Sequence, residues 1–182
     1  YLIKLFVDKL IGLNKDNFNY YNKRFNIKRK KIYLVPNGID LLFYRKKLKR
    51  KKDKIFYKIG MATRLDGDEK KPGLVIDALS SNFLKNLNIK FYLAGEGIKR
   101  KEIEKKITKY NLDNRCLLNG YLNQNQLRNW YNNLDLYVHP TIGEGMSTSI
   151  LQAMSMSVPV LASNVSGVKN ILGKKEYIGC LF

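Results

Sequence analysis

A chain of 182 residues can bury one core of ordinary size, and an apolar content of 45% is that of a globular domain. The two cysteines, Cys116 and Cys180, stand far apart with no CxxC pair, which excludes a disulfide framework and a cysteine zinc site and suits a reducing compartment. Lys and Arg outnumber Asp and Glu by 34 to 15, and no run of about 18 apolar residues offers a membrane span.

The positive charge gathers at the start of the chain, where residues 1–58 hold 18 basic and 4 acidic side chains. Such a field attracts anionic lipid, at about 1 kcal/mol per basic residue near the surface. It equally attracts nucleic acid, and a solvated lysine-rich face is the third reading. Within residues 1–13, Ile3, Val7 and Leu10 recur at helical spacing, which predicts a helix. That helix reads as a remnant of a neighbouring domain, so residues 1–32 form an interdomain linker and residues 33–182 one domain. Residues 14–31 are polar, aromatic and basic. Residues 33–35 form a short strand running into the turn Pro36-Asn37-Gly38, and residues 48–54 are a charged connector.

From residue 55 strand and helix alternate. Strands are predicted at 55–62, 89–94, 115–119, 134–139 and 159–162. Helices are predicted at 73–84, from the apolar residues Leu74, Ile76, Leu79 and Phe83, at 99–110, with Ile103 and Ile107 inward, and at 124–132, 148–156 and 167–172. A last strand-like segment closes the chain at 177–182. This alternation implies βαβ units, a mostly parallel sheet with helices on both faces, and right-handed crossovers: a Rossmann-like α/β fold. Ligands of such sheets bind beyond the carboxyl ends of the strands.

The polar signals fall at those ends. Arg64 follows the first long strand, and Lys70 comes six residues later, with Lys71 as its neighbour. Two fixed cations there would stabilise negative charge that grows on a leaving group. Asp66-Gly67-Asp68 looks like a metal-binding pair, but two aspartates around a glycine in such a loop more often make a turn, and no metal is expected. Gly95 and Gly97 flank Glu96 and permit close backbone approach to a ligand, and Gly120-Tyr121 ends the next strand. Tyr121 serves either packing or base stacking. His139, the one histidine, reads as a residue that orients the loop around Gly143. At 143–154 the chain runs GEGMSTSILQAM. Glu144 sits in a glycine-flanked turn suited to sugar hydroxyls. Gly145, Met146 and the hydroxyls of Ser147, Thr148 and Ser149 open a helix whose free N–H groups suit a diphosphate. Gln152 lies one turn further on.

Several short motifs occur in a fixed order: VPNGID at 35–40, TRL at 63–65, LAGEG at 93–97, LNGY at 118–121, LDLYVHPT at 134–141, EGMSTSILQAM at 144–154 and VPVLAS at 158–163. Taken together, from about residue 31 to 182, they resemble the C-terminal domain of GT-B glycosyltransferases, in the large retaining group that builds bacterial polysaccharides. The family signature is Glu, seven residues, Glu. Glu144 matches the first, and the second position holds Gln152. The resemblance implies one half of a GT-B enzyme, with an acceptor-binding domain ahead of it. It implies a nucleotide diphosphate sugar, taken as a UDP-sugar, as donor, with no further cofactor. Arg64, Lys70 and Glu144 would be catalytic. Gly95, Gly120, Tyr121, Gly145, Met146, Ser147, Thr148, Ser149 and Gln152 would hold the nucleotide, with Gln152 at the ribose. The implied reaction moves a hexose or N-acetylhexosamine to a glycan or lipid-linked acceptor, in the cytoplasm or against the inner face of the membrane. Anionic membrane is then a partner and nucleic acid is not. The alternatives left open are a sugar-nucleotide-binding domain that has lost transfer, given Gln152, and a basic nucleic-acid-binding module.

Overall fold

The computed structural model describes residues 7–46, 55–173 and the backbone of 179–181. Residues 1–6, 47–54, 174–178 and 182 lie outside the described residues, and with them the charged connector predicted at 48–54. A six-stranded, wholly parallel sheet forms the frame. Its strands are β3 (Tyr57–Ala62), β4 (Ile89–Ala94), β5 (Cys116–Gly120), β6 (Leu136–His139), β7 (Val160–Ala162) and β8 (Gly179–Leu181), in the order β5-β4-β3-β6-β7-β8. After β3 the chain moves outward to one side, and after β6 to the other. The crevice between β3 and β6 is therefore the topological switch point, where ligands of such sheets bind.

Helices cover both faces. On one side α2 (Pro72–Ser80) and α3 (Arg100–Lys109) pack Ile76, Leu79, Ile103 and Ile107 against Met61, Phe91 and Leu93. On the other, α4 (Gln124–Asn132), α5 (Thr148–Ser155) and α6 (Ser166–Leu172) pack Tyr131, Ile150, Ala153 and Val168 against Tyr137, Val160 and Ala162. Neighbouring strand residues point to opposite faces, so Tyr137 belongs to one core and Val138 to the other. Gly60 lets α4 approach, since a Cβ there would stand 2.7 Å from the Trp130 ring.

Two expectations are corrected. Residues 10–12 are not helical: β1 (Leu10–Gly12) pairs in parallel with β2 (Ile32–Leu34). Between them α1 (Lys15–Phe25) fills what the sequence left unassigned, with Asn14 capping the N–H of Asn17. A three-residue strand is too short to show its period of two, and α1 buries no residue, so neither leaves an apolar pattern. The helix predicted at 73–84 stops at Ser80, where the Ser81 hydroxyl donates to the carbonyl of Ala78. Beyond it Phe83 points to solvent, 91% exposed. The turns at 81–88 are gathered by the Arg115 guanidinium, which donates to the carbonyls of Leu79, Leu84, Lys85, Leu87 and Ile89.

Candidate active site

Two loops meet across the switch point. Residues 63–71 leave β3, and residues 140–147 leave β6. Backbone bonds fasten them together: the Lys71 N–H donates to Pro140 O and the Ile142 N–H to Glu69 O, at 3.0 and 2.9 Å. Thr141, buried, sits at the junction. Its hydroxyl donates to Gly143 O at 2.8 Å and lies 3.1 Å from Glu69 O. Lys70 forms an isolated antiparallel bridge with Thr141, and this aims its ammonium at Glu144.

The Glu144 carboxylate is the centre of the arrangement. The Lys70 Nζ donates to Oε2 in a close ion pair, and the His139 Nε2 lies 3.0 Å from the same oxygen. Among the described residues no partner meets Oε1. Burial opposes the charge on Glu144, but the bonds from His139 and Lys70 and the Lys70 charge outweigh it and hold the carboxyl at about 2. An ionised carboxylate only accepts, so the His139 Nε2 carries the proton and donates. Burial pushes the His139 pKa down against the pull of Glu144, so the imidazole is neutral. Its other face lies against Tyr137, whose hydroxyl donates to Ala62 O at 3.2 Å and stands 3.5 Å from the His139 Nδ1.

The mouth of α5 opens beside Glu144. Ser147 caps it by accepting from the Ile150 N–H, and its buried hydroxyl pairs with that of Ser149 at 2.9 Å. Of the three hydroxyl residues, Ser147 is buried, Ser149 half-buried and Thr148 exposed. A helix start still offers its unpaired N–H groups and positive dipole end. The approach to this mouth is fixed from the first segment of the chain. Asn14 donates to Gly145 O at 2.5 Å, and Asn37 of the VPNGID turn donates to Met146 O at 2.8 Å. Gly167 at the start of α6 packs on the Glu144 and Gly145 carbonyls, with no room for a Cβ.

Residues 42–182 match the family Glycosyl transferases group 1. The chain belongs to this family. Curated relatives include protein CapJ of Staphylococcus aureus, 34% identical over 122 residues, which are 66% of this chain and 31% of that protein. Another is the UDP-Gal:α-D-GlcNAc-diphosphoundecaprenol α-1,3-galactosyltransferase of Escherichia coli, 29% identical over 95% of this chain and 46% of the enzyme. Among solved structures, HepE of Anabaena in complex with UDP and glucose superposes on the whole chain with a TM-score of 0.82 at 19% identity, using 50% of its own length. The chain thus spans about half the length, or less, of the relatives it matches. Its fold is the Rossmann-like half of a GT-B glycosyltransferase.

In this glycosyltransferase fold Arg64, Lys70, Gly95, Gly120 and Glu144 follow or end strands at one end of the sheet, and Gln152 lies further along α5. Arg64, exposed, leaves β3 and lines a cleft with Lys70, Lys71 and Lys99. Lys70, not Lys71, reaches Glu144, while Lys71 precedes α2 as its N-cap. Gly95 follows β4 with φ +133°, where a Cβ would lie 1.8 Å from Thr63 O, so only glycine fits. Its N–H donates to Gly120 O at 2.7 Å, and Tyr121 beyond is 77% exposed and free of the core. Gln152 faces a tyrosine cluster: its amide donates to the Tyr44 hydroxyl at 2.9 Å and accepts from that of Tyr131 at 3.3 Å. The aspartates of the 66–68 turn are engaged, Asp68 with Lys99 and Asp66 with the Ile98 N–H. Among the described residues no cluster of His, Cys, Asp and Glu suits a metal ion. Sequence reasoning passed over Thr141, Asn14 and Asn37. Asn37 and Thr141 each lie within a recognised motif and carried that signal, whereas Asn14 carried none.

Proposed function

We propose that this chain is the donor-binding half of a retaining glycosyltransferase. Residues 33–182 form the domain that takes a UDP-linked hexose or N-acetylhexosamine. The acceptor is a glycan or lipid-linked saccharide in bacterial surface polysaccharide assembly, bound by a further domain. Cytoplasmic action at the inner membrane face accords with a lipid-linked acceptor, and the basic first segment supplies attraction to anionic lipid. Among the described residues no helix is long and apolar enough to cross a membrane. The E. coli relative is named for a UDP-galactose donor and a diphosphoundecaprenol-linked acceptor, which supports this class of substrates.

The observation that carries the reading is an ionised carboxylate held by Lys70 and His139 at the switch point, beside the mouth of α5. In the proposed step the bond between the anomeric carbon and the diphosphate breaks, and its electron pair leaves with the diphosphate. Arg64, Lys70 and the N–H groups of α5 stabilise that growing charge. The leaving phosphate takes the proton of the acceptor hydroxyl, whose oxygen bonds the anomeric carbon on the same face. Glu144 holds sugar hydroxyls, Gly95, Gly120 and Tyr121 border the base, and Gln152 lies toward the ribose.

Calorimetric titration with UDP and with several UDP-sugars tests the assignment. Glu144→Ala is expected to weaken sugar conjugates by about 1.5–3 kcal/mol, the worth of a charge-assisted bond, and to leave UDP nearly unchanged. Equal losses for both ligands would remove Glu144 from the sugar.

A further inference from the structure

We infer that His139 is a positioning residue for donor-sugar recognition: with Lys70 it clamps one oxygen of Glu144 so that the other is presented to the sugar. This inference rests on the reading that Glu144 contacts the donor sugar. The geometry is asymmetric. Both donors converge on Oε2, the imidazole from 3.0 Å, and among the described residues Oε1 has no partner. A carboxylate held by one donor can still swing about its side-chain torsions. Two donors from different strand ends fix its plane and leave one acceptor oxygen with a defined direction. His139 suits this task because its own freedom is gone. It is 1% exposed, lies at the last position of β6, and stacks on the Tyr137 ring with centroids 6.0 Å apart. Tyr137 in turn is bonded to both the N–H and the carbonyl of Ala62, two residues before Arg64. A continuous line thus runs from the end of β3 through Tyr137 and His139 to Glu144 and Lys70. It ties the residue proposed to hold the sugar to the strand that carries a proposed phosphate ligand. Charged and titratable groups facing the imidazole are Glu144, Lys70 and Tyr137.

The amide nitrogen of glutamine can occupy roughly the place of an imidazole Nε2, whereas that of asparagine reaches only the Nδ1 position. The His139→Gln variant should therefore keep the wild-type ratio of UDP-sugar to UDP affinity within about threefold. The His139→Asn variant should lower that ratio roughly 10- to 100-fold, by the loss of a bond to a charged group, with UDP binding little changed. Glu144→Ala is measured beside them. If it too leaves the ratio untouched, the reading of Glu144 fails. If Glu144→Ala lowers the ratio and His139→Asn does not, the positioning role fails alone. A loss of UDP and UDP-sugar in equal measure by both His139 variants makes the residue structural and also overturns the inference. A measurement without substitution stands beside these. His139 is the one histidine of the chain, so ¹⁵N spectra of its imidazole are unambiguous. A neutral ring protonated at Nε2 at pH 7 is expected, and a ring protonated at Nδ1 or a charged imidazole would refute the clamp.

Discussion

At the scale of single residues, the charge on Glu144 couples this site to acid. Its carboxyl is held at about 2 against an ordinary 4.5 by His139 and Lys70, overcoming burial. That contribution to stability, on the order of 3 kcal/mol, is complete above pH 4.5 and is lost as pH falls toward 2. His139 adds to the trend, since burial lowers its pKa from 6.5 and the unfolded chain takes the proton first as pH drops. Urea titrations of the wild type and of Glu144→Gln from pH 7 to pH 2 should show the stability gap between them narrowing below about 4.5. A gap constant with pH would mean that the ion pair does not stabilise the fold. Lys70 and Lys71 separate by direction, not by chemistry. The bridge to Thr141 turns Lys70 into the site, and Lys71 stands at the N-cap position of α2 with no side-chain bond to the helix. In a catalytically competent full-length enzyme, Lys70→Ala should lower kcat by about 100-fold or more, while Lys71→Ala changes it little. Steady-state rates with saturating donor decide between them.

At the scale of elements, the strand ends demand particular backbones. Gly95→Ala would force a Cβ onto the Thr63 carbonyl at a positive φ and push apart β3 and β4, where Arg64 emerges. A loss on the order of 3 kcal/mol is expected, read as a lowered midpoint in chemical denaturation. A shift under 1 kcal/mol would show that the turn relaxes freely. The long alternation from β3 to α6 was legible because each strand and helix shows its own period, and the ligand end follows from parallel topology alone. Residues 124–132, predicted as a helix, form α4 to the residue, since Asn123 and Gln126 cap each other reciprocally. At the start of the chain only β2 was legible, predicted at 33–35 and found at 32–34, while β1, three residues long, and α1, which buries no residue, left no pattern. Phe83 misled for a related reason. Its spacing fits a helix face, but Arg115, more than 25 positions away, draws the intervening carbonyls into turns instead. Likewise Glu144, Arg64 and Lys70 could be named from motifs, while the His139 donor and the Thr141 junction depend on where two loops meet.

At the scale of the whole molecule, the fold gives each half of the sheet one side of the crevice. One arm carries the cations of residues 63–71, and the other carries Glu144 and the start of α5. The basic side chains are weighted to the first third of the chain, away from these motifs in sequence, so the charge of the chain and the charge of the site are separate matters. Lys70 and Glu144 stand 74 positions apart and meet only because β6 pairs alongside β3. This spacing has a consequence in time. Closing a loop of that length is entropically costly, and the site has no existence until the central strand pair has formed. A donor nucleotide therefore has nothing to grip in the folding transition state unless β3 and β6 are already joined there. Saturating UDP should then slow unfolding in proportion to its affinity and leave the refolding rate unchanged, which stopped-flow chevrons with and without nucleotide would read directly. Acceleration of refolding would instead place the β3–β6 pair, and with it the crevice, among the first structures the chain makes.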